Sequence, residues 1–250
     1  MNRRYGPVPE LSVVVPVYNE ADNIAPLVAE VRDALEGKLE YEMIYVNDHS
    51  TDDSAAQLAE LARGEPRLRV LTHRANYGQS TAMRSGVLAA RAPWVAFLDG
   101  DGQNDPADIP KLWEMLHAPG RSAALCMVAG YRRKRRDNWL KRISSKIANG
   151  VRSRLLQDRT PDTGCGLKLV SRQAFLDLPY FDHMHRFLPA LIQRDGGEVV
   201  SVVVNHRPRM RGVSKYGLHN RLWVGIIDML GVWWLQKRGQ TPRVDEERWS

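Results

Sequence analysis

Asp99 and Asp101, parted by one glycine in Leu98-Asp99-Gly100-Asp101-Gly102-Gln103, are the sharpest chemical feature of this chain. Two carboxylates at that spacing can aim at one hard cation while the glycine lets the backbone turn tightly. Mg²⁺ or Mn²⁺ held this way keeps positions open for phosphate oxygens, the usual arrangement at a metal–nucleotide site. An Asp-x-Asp triplet is also a common solvated turn, so its position decides its weight. Phe97-Leu98 sets the pair directly after an apolar run. Two more polar loops follow apolar runs in the same way: Pro16-Val17-Tyr18-Asn19-Glu20, and Asn47-Asp48-His49-Ser50-Thr51-Asp52.

Three such loops can share one site only if a scaffold brings their strands side by side. Residues 11–16 read as a buried strand, followed by Ile24, Leu27, Val28, Val31 and Leu35 at helical spacing and a stop at Gly37. Strands over 42–47, 68–72 and 94–98 alternate with helices over 52–62 and 79–90, and Pro106 opens a helix reaching about His117. Strand–helix units in series predict an α/β fold, a mostly parallel central sheet with helices on both faces. Ligands bind such sheets at the carboxyl ends of the strands, where the three loops fall. The second half is less regular. Strands are expected at 125–129 and 199–204, a short helix near 171–178 and a helical stretch over 186–194. One domain with a C-terminal appendage fits better than two domains.

The 250 residues carry 36 Lys+Arg against 29 Asp+Glu, but unevenly. Residues 1–125 hold 12 basic and 18 acidic side chains and residues 126–250 the remaining 24 and 11, so a net −6 faces a net +13. Such a split suggests that one half handles something anionic and the other something cationic, or an anion reached through a metal. With 43% hydrophobic residues the chain is neither disordered nor fibrous. Two cysteines, Cys126 and Cys165, are too few for a disulfide framework and suggest a reduced compartment. No targeting segment is visible. The most apolar stretch, 222–235, is short for a bilayer span and contains Asp228, so it can lie in an interface but not cross alone. A glycine-rich dinucleotide fingerprint and a P-loop are both missing. Asn76-Tyr77-Gly78 and Gly86 read as turn and packing glycines.

Seven segments in order complete the picture: PVYNE (16–20), NDHSTD (47–52), NYGQSTAMRSG (76–86), DGDGQ (99–103), DTGCGLKL (162–169), HRFLPAL (185–191) and RMRGVSKYG (209–217). Together they resemble the polyprenyl-phosphate glycosyltransferases, the dolichyl-phosphate mannose synthase-like branch of glycosyltransferase family 2, over roughly residues 11 to 235. The resemblance implies a GT-A (Rossmann-like) single domain and an inverting transferase. Its donor would be a nucleotide sugar, UDP-linked ahead of GDP-linked, and its acceptor a polyprenyl phosphate, giving a lipid-linked sugar for envelope or lipid glycosylation.

That resemblance also implies roles for residues. Pro16, Tyr18 and Glu20 would line base and ribose, and Asn47 with Asp48 would contact the base. Asp99, Asp101 and Gln103 match the metal–diphosphate motif, with Mg²⁺ or Mn²⁺ as cofactor and Asp101 central to catalysis. Asp162 matches a carboxylate acting as base or sugar-orienting group. A lipid phosphate is already anionic, so the nucleophile needs orientation more than deprotonation. Arg132, Lys141, Ser145 and Arg209 are the positions implied for the acceptor phosphate, and Ser214-Lys215 for the mouth of the site. Arg133 to Arg136 read as a solvated cationic face. His183 and His185 share a metal-like spacing, but no Cys or Asp cluster accompanies them, so structural or substrate contact is the expectation. Cys165 reads as a packed small residue.

The implied domain plan is a transferase domain over 1–217, an amphipathic interfacial helix over 218–237 and a polar tail over 238–250. Trp223, Trp233 and Trp234 with Arg221, Lys237 and Arg238 suit the cytoplasmic face of a membrane, bound peripherally or monotopically. A core helix or a subunit contact fits the same tryptophans, and a homo-oligomer is allowed. Two rival readings remain: a GT-A enzyme acting on a sugar or polysaccharide acceptor, and a non-enzymatic nucleic-acid arm over 132–146. Little aromatic surface accompanies that basic stretch, so no nucleic acid is the expected outcome.

Overall fold

The computed structural model describes residues 8–133, 150, 152–158, 160–208 and 218–239, and of 218–223 the backbone only. Lys141, Ser145 and Arg209, expected at the acceptor phosphate, lie outside the described residues, as do Lys134, Arg135, Arg136, Ser214 and Lys215.

Seven strands form one sheet: β1 (Leu11–Val17), β2 (Tyr41–Asn47), β3 (Leu68–Thr72), β4 (Trp94–Phe97), β5 (Leu125–Tyr131), β6 (Lys168–Ser171) and β7 (Glu198–Val203). Their order is β3-β2-β1-β4-β6-β5-β7. All neighbours pair in parallel except β6, which runs antiparallel to both β4 and β5. The sheet is thus mostly parallel, as expected, with one reversed strand between β4 and β5. No strand is expected there from the sequence. β6 is four residues long and holds Lys168 among Leu167, Leu169 and Val170, too short and mixed for a period-2 signal.

Helices cover both faces. Against one face lie α1 (Ala21–Leu35), α2 (Ser54–Gly64) and α4 (Ile109–Leu116), and against the other α3 (Gln79–Ala89), α5 (Arg172–Asp177), α6 (Leu188–Arg194) and α7 (Leu218–Arg238). Val13 and Val15 of β1 join the first core, with Ile24, Leu27, Val28, Val31 and Leu35 of α1. Val14 joins the second, with Met83, Phe175, Leu188 and Val232. A strand buried on both faces reads as an unbroken apolar run, which is why 11–17 carries no alternation. Gly86 lets α3 sit down on β1, since a Cβ there would meet Val14 Cγ1 at 2.4 Å. Pro106 begins a 3-10 turn (Pro106–Asp108) ahead of α4, and Asp105 caps it by accepting from the Ala107 N–H at 3.0 Å.

Parallel register sets the site. Val17 pairs with Asn47 and Val14 with Phe97, so β2, β1 and β4 are neighbours whose carboxyl ends deliver the loops 47–52, 16–20 and 99–103 to one edge.

Candidate active site

The first two loops are stitched together. Asn19 and His49 both adopt left-handed backbone conformations, with φ of 53° and 61°. Asn19 N–H donates to Ser50 Oγ at 3.0 Å, Thr51 N–H donates to Asn19 Oδ1 at 2.6 Å, and Glu20 N–H donates to Ser54 Oγ at 3.0 Å. Buried Asn47 accepts from Ser50 N–H at 3.0 Å. Glu20 accepts from Asn23 Nδ2 at 2.7 Å, while Tyr18 is exposed at the rim. Pro16 lines the cavity below. The implied base-and-ribose residues Pro16, Tyr18, Glu20 and Asn47 therefore fall at two adjoining strand ends whose loops are hydrogen-bonded to each other.

Asp48 points elsewhere. Its carboxylate, 3% exposed with the whole residue, accepts from Tyr77 N–H at 2.9 Å, Gly78 N–H at 2.7 Å and His73 Nδ1 at 2.7 Å. Asn76 Nδ2 donates to the Asp48 carbonyl at 3.2 Å. Asp48 thus folds the 76–78 loop into place at the start of α3, and that loop in turn presents Gln79.

Gln79 Nε2 donates to Asp99 Oδ1 at 2.9 Å, and Asp99 N–H donates to Asn104 Oδ1 at 3.1 Å. Asp101 Oδ1 accepts from Gln103 N–H at 3.1 Å, closing the Asp-Gly-Asp turn. Burial first, and the like charge of Asp101 second, push the Asp99 carboxyl above the usual carboxylate range, against Lys168, Arg132 and the Gln79 hydrogen bond. A buried carboxyl with a like-charged neighbour suits a dication between the two, and their oxygens are the donors Mg²⁺ or Mn²⁺ prefers. Among the described residues no three His, Cys, Asp or Glu side chains converge on one point. Asp99 and Asp101 would supply part of a shell, which fits an ion whose other positions go to waters and phosphate oxygens.

The reversed strand brings the basic half to the same place. The turn before β6 passes so close to Asp99 that a Cβ on Gly166 would lie 2.0 Å from Asp99 Oδ2 and 2.5 Å from Asn104 Oδ1. Only glycine fits there. Buried Lys168 donates through Nζ to the Cys165 carbonyl, pinning that turn. Burial lowers the Lys168 pKa, opposed by Cys165, Asp99 and Asp162. Cys165 is fully buried in the core, as expected of a packed residue.

Asp162 and Arg132, assigned to different tasks from sequence, form one ion pair. Arg132 Nε reaches Asp162 Oδ2 at 2.6 Å and its terminal nitrogen reaches Oδ1 at 2.9 Å, while Arg132 N–H donates to Oδ2 at 3.3 Å. Burial would lower the Arg132 pKa, but the Asp162 hydrogen bond and charge raise it overall. A carboxylate held by a guanidinium fork is a weak base, so the geometry speaks against proton abstraction by Asp162 and for an orienting part.

On the opposite wall, His185 Nδ1 sits 2.8 Å from Ser80 Oγ, and His183 Nδ1 lies 3.4 Å from Asp228 Oδ2 of α7. The two imidazole centres are 6.5 Å apart, with different partners, and do not converge on an ion. Sequence reasoning passed over Gln79 and Lys168. A charge inside the apolar run 167–170 was the available signal for Lys168.

A sheet edge carrying an Asp-x-Asp turn beside an arginine-held carboxylate can hold a dication and an anion close together. Residues 12–178 match the family described as "Glycosyl transferase family 2". The chain belongs to that family. Over 238 residues it is 34% identical to the dodecaprenyl-phosphate galacturonate synthase of Rhizobium johnstonii, covering 93% of this chain and 69% of that protein. It is also 34% identical over 212 residues to the undecaprenyl-phosphate 4-deoxy-4-formamido-L-arabinose transferase of Edwardsiella ictaluri, covering 83% of this chain and 63% of that one. Those relatives are therefore longer than the chain described here. The fold is shared with a mannosyltransferase from Pyrobaculum calidifontis solved with GDP-Man and Mn²⁺, at a TM-score of 0.66 and 19% identity over 94% of this chain and 66% of that one. It is shared as well with glucosyl-3-phosphoglycerate synthase from Mycobacterium tuberculosis solved with Mg²⁺ and UDP, at 0.66 and 18% over 89% and 80%. The expected GT-A architecture is the observed one.

Proposed function

We propose that this chain transfers a sugar from a nucleotide sugar, UDP-linked ahead of GDP-linked, to a polyprenyl phosphate by direct displacement with inversion. One observation carries the reading. Asp99, on the donor side, and Arg132, on the acceptor side, stand within electrostatic reach of each other across the reversed strand. Two phosphate-handling groups so placed suit attack by one phosphate oxygen on a sugar carbon attached to another. The named relatives act on polyprenyl phosphates, which supports the acceptor class.

Asp99 and Asp101, with Gln103, would hold Mg²⁺ or Mn²⁺, which when bound neutralises charge on the departing diphosphate. Pro16, Tyr18, Glu20 and Asn47 would frame the nucleoside, with Asp48 acting through the 76–78 loop. Arg132, together with Lys141, Ser145 and Arg209, would orient the acceptor phosphate, and Asp162 would keep the Arg132 fork aimed. An acceptor sugar hydroxyl would need a general base. Asp162 is committed to Arg132, and this favours the phosphate acceptor over the polysaccharide one.

A membrane surface fits the C-terminal helix. Val232 is buried in the second core, while Ile227, Leu230 and Trp234 are 68%, 50% and 55% exposed. Spacings of three and four residues put those three on one stripe, with Lys237 and Arg238 in the last turn. No described helix is long and apolar enough to cross a bilayer. We assign residues 1–217 to the transferase domain, 218–237 to an interfacial helix and 238–250 to a tail, placed at the cytoplasmic face where nucleotide sugars are available. The test is incubation of purified protein with polyprenyl phosphate and a panel of UDP- and GDP-sugars. A lipid-linked, metal-dependent product supports the reading, and transfer only to free sugars overturns it.

A further inference from the structure

Two glycines, Gly100 and Gly102, give the Asp99–Gln103 turn a backbone with few restraints of its own, and Gly102 sits in the left-handed region at φ 70°. A dication held by Asp99 and Asp101 needs their oxygens fixed to within about half an ångström. The near side of the turn rests on β1, where a Cβ on Gly100 would lie 2.8 Å from the Pro16 carbonyl oxygen. The far side is held from across the sheet.

β4 and β7 are separated by β6 and β5, yet they run in the same direction, so their carboxyl ends share one edge. There the chain leaving β7 meets residues 103–108. Asn104 and His206 form an antiparallel bridge, Arg207 N–H donates to the Gln103 carbonyl at 3.1 Å, and Asn205 N–H donates to Asp108 Oδ2 at 2.6 Å. Asn104 is buried and accepts from Asp99 N–H, so these contacts lead straight to the first carboxylate. The Arg207 side chain completes the joint. One terminal nitrogen donates to Asp105 Oδ1 at 2.6 Å and the other to Glu30 Oε2 of α1 at 2.8 Å.

Resting on the reading of Asp99 and Asp101 as a metal site, we infer that Arg207 is a positioning residue for that site. Through Asp105 it holds the far end of the Asp-x-Asp turn, so that both carboxylates are presented to one dication. An isolated surface ion pair would contribute little, because two long side chains must be held in one geometry. Here most of that ordering is already done. The Asp105 side chain is 14% exposed and the same Oδ1 accepts from Ala107 N–H, while the Arg207 backbone is bonded to Gln103. The guanidinium fork also reaches two carboxylates on different elements, which a lysine ammonium, a single point charge, does not reproduce.

The test is a Mn²⁺ titration read by electron paramagnetic resonance, alone and with UDP or GDP, beside thermal melts of the same samples. Arg207→Gln should weaken Mn²⁺ binding roughly threefold to fivefold. Arg207→Lys, which keeps the charge but loses the fork, should recover part of that loss. Asp105→Asn keeps an acceptor for Ala107 N–H and removes the charge, so it should match Arg207→Gln and serves where that variant does not fold. The double variant should bind no more weakly than either single one, since each breaks the same contact. A lowered melting temperature with unchanged Mn²⁺ affinity would assign Arg207 to stability alone and overturn the inference, as would two losses that add. Wild-type protein that takes up no Mn²⁺ in any of the three conditions overturns the metal reading itself, a distinct failure.

Discussion

Arg132 and Asp162 meet in a two-point fork, Nε to Oδ2 at 2.6 Å and the terminal nitrogen to Oδ1 at 2.9 Å, at the seam between β5 and the turn before β6. Both side chains are nearly enclosed, at 10% and 6% exposure. Asp162→Asn keeps one acceptor but removes the charge, leaving the guanidinium without its counterion. The variant should lose about 2–3 kcal/mol of stability. Its KM for polyprenyl phosphate should rise more than its KM for the nucleotide sugar. Thermal melts and two-substrate kinetics check this, and an unchanged acceptor KM with lost kcat would instead mark Asp162 as a base.

Asp101→Ala should abolish transfer while the protein remains folded, because Asp101 lies at the partly exposed rim and accepts from the Gln103 N–H of its own turn. Excess chelator should mimic it and added Mn²⁺ or Mg²⁺ should reverse the chelator alone. Transfer rate and circular dichroism on the same samples read the result; full activity in chelator would sink the metal assignment.

Gly166→Ala places a methyl group against Asp99 Oδ2, at 2.0 Å before relaxation. Either Asp99 swings from Gln79 or the 162–166 turn lifts away. Activity should fall at least about a hundredfold, as displacement of about an ångström near the reacting groups does. Mn²⁺ titration should show weaker binding in parallel.

His185 makes stability depend on pH. Its folded pKa of about 3 lies below the ordinary 6.5, so the unfolded chain takes up a proton that the folded one refuses. Stability is full above pH 6.5 and falls as pH drops from 6.5 toward 3, by at most about 1.4 kcal/mol per unit. His185→Gln should flatten this slope in denaturant titrations at pH 7, 6 and 5. A slope that persists unchanged would assign the proton uptake to other groups.

For the C-terminal helix, Leu230→Glu with Trp234→Glu should cut sedimentation with anionic vesicles severalfold. The melting temperature should stay within about 2 °C, since both side chains are largely exposed. Loss of the fold, or unchanged vesicle binding with altered self-association, would show a subunit contact instead.

The strand ends, and hence one face of the site, were legible in the sequence. The runs at 11–16 and 42–47 read as buried strands and are found in β1 and β2, and Asp99-Gly100-Asp101 after Phe97-Leu98 reads as a turn at a strand's carboxyl end, where it stands after β4. Local composition determines such elements because burial and turn chemistry act over a few residues. Partnership is different. The sequence assigned Arg132 and Asp162 to different tasks, and left Lys168 and Gln79 unassigned. Their roles depend on a four-residue strand that runs backward between β4 and β5, bringing residues 132, 162 and 168 to Asp99. Whether a carboxylate acts as a base or as a guanidinium's anchor depends on what stands within 3 Å of it. Only the tertiary structure decides that distance.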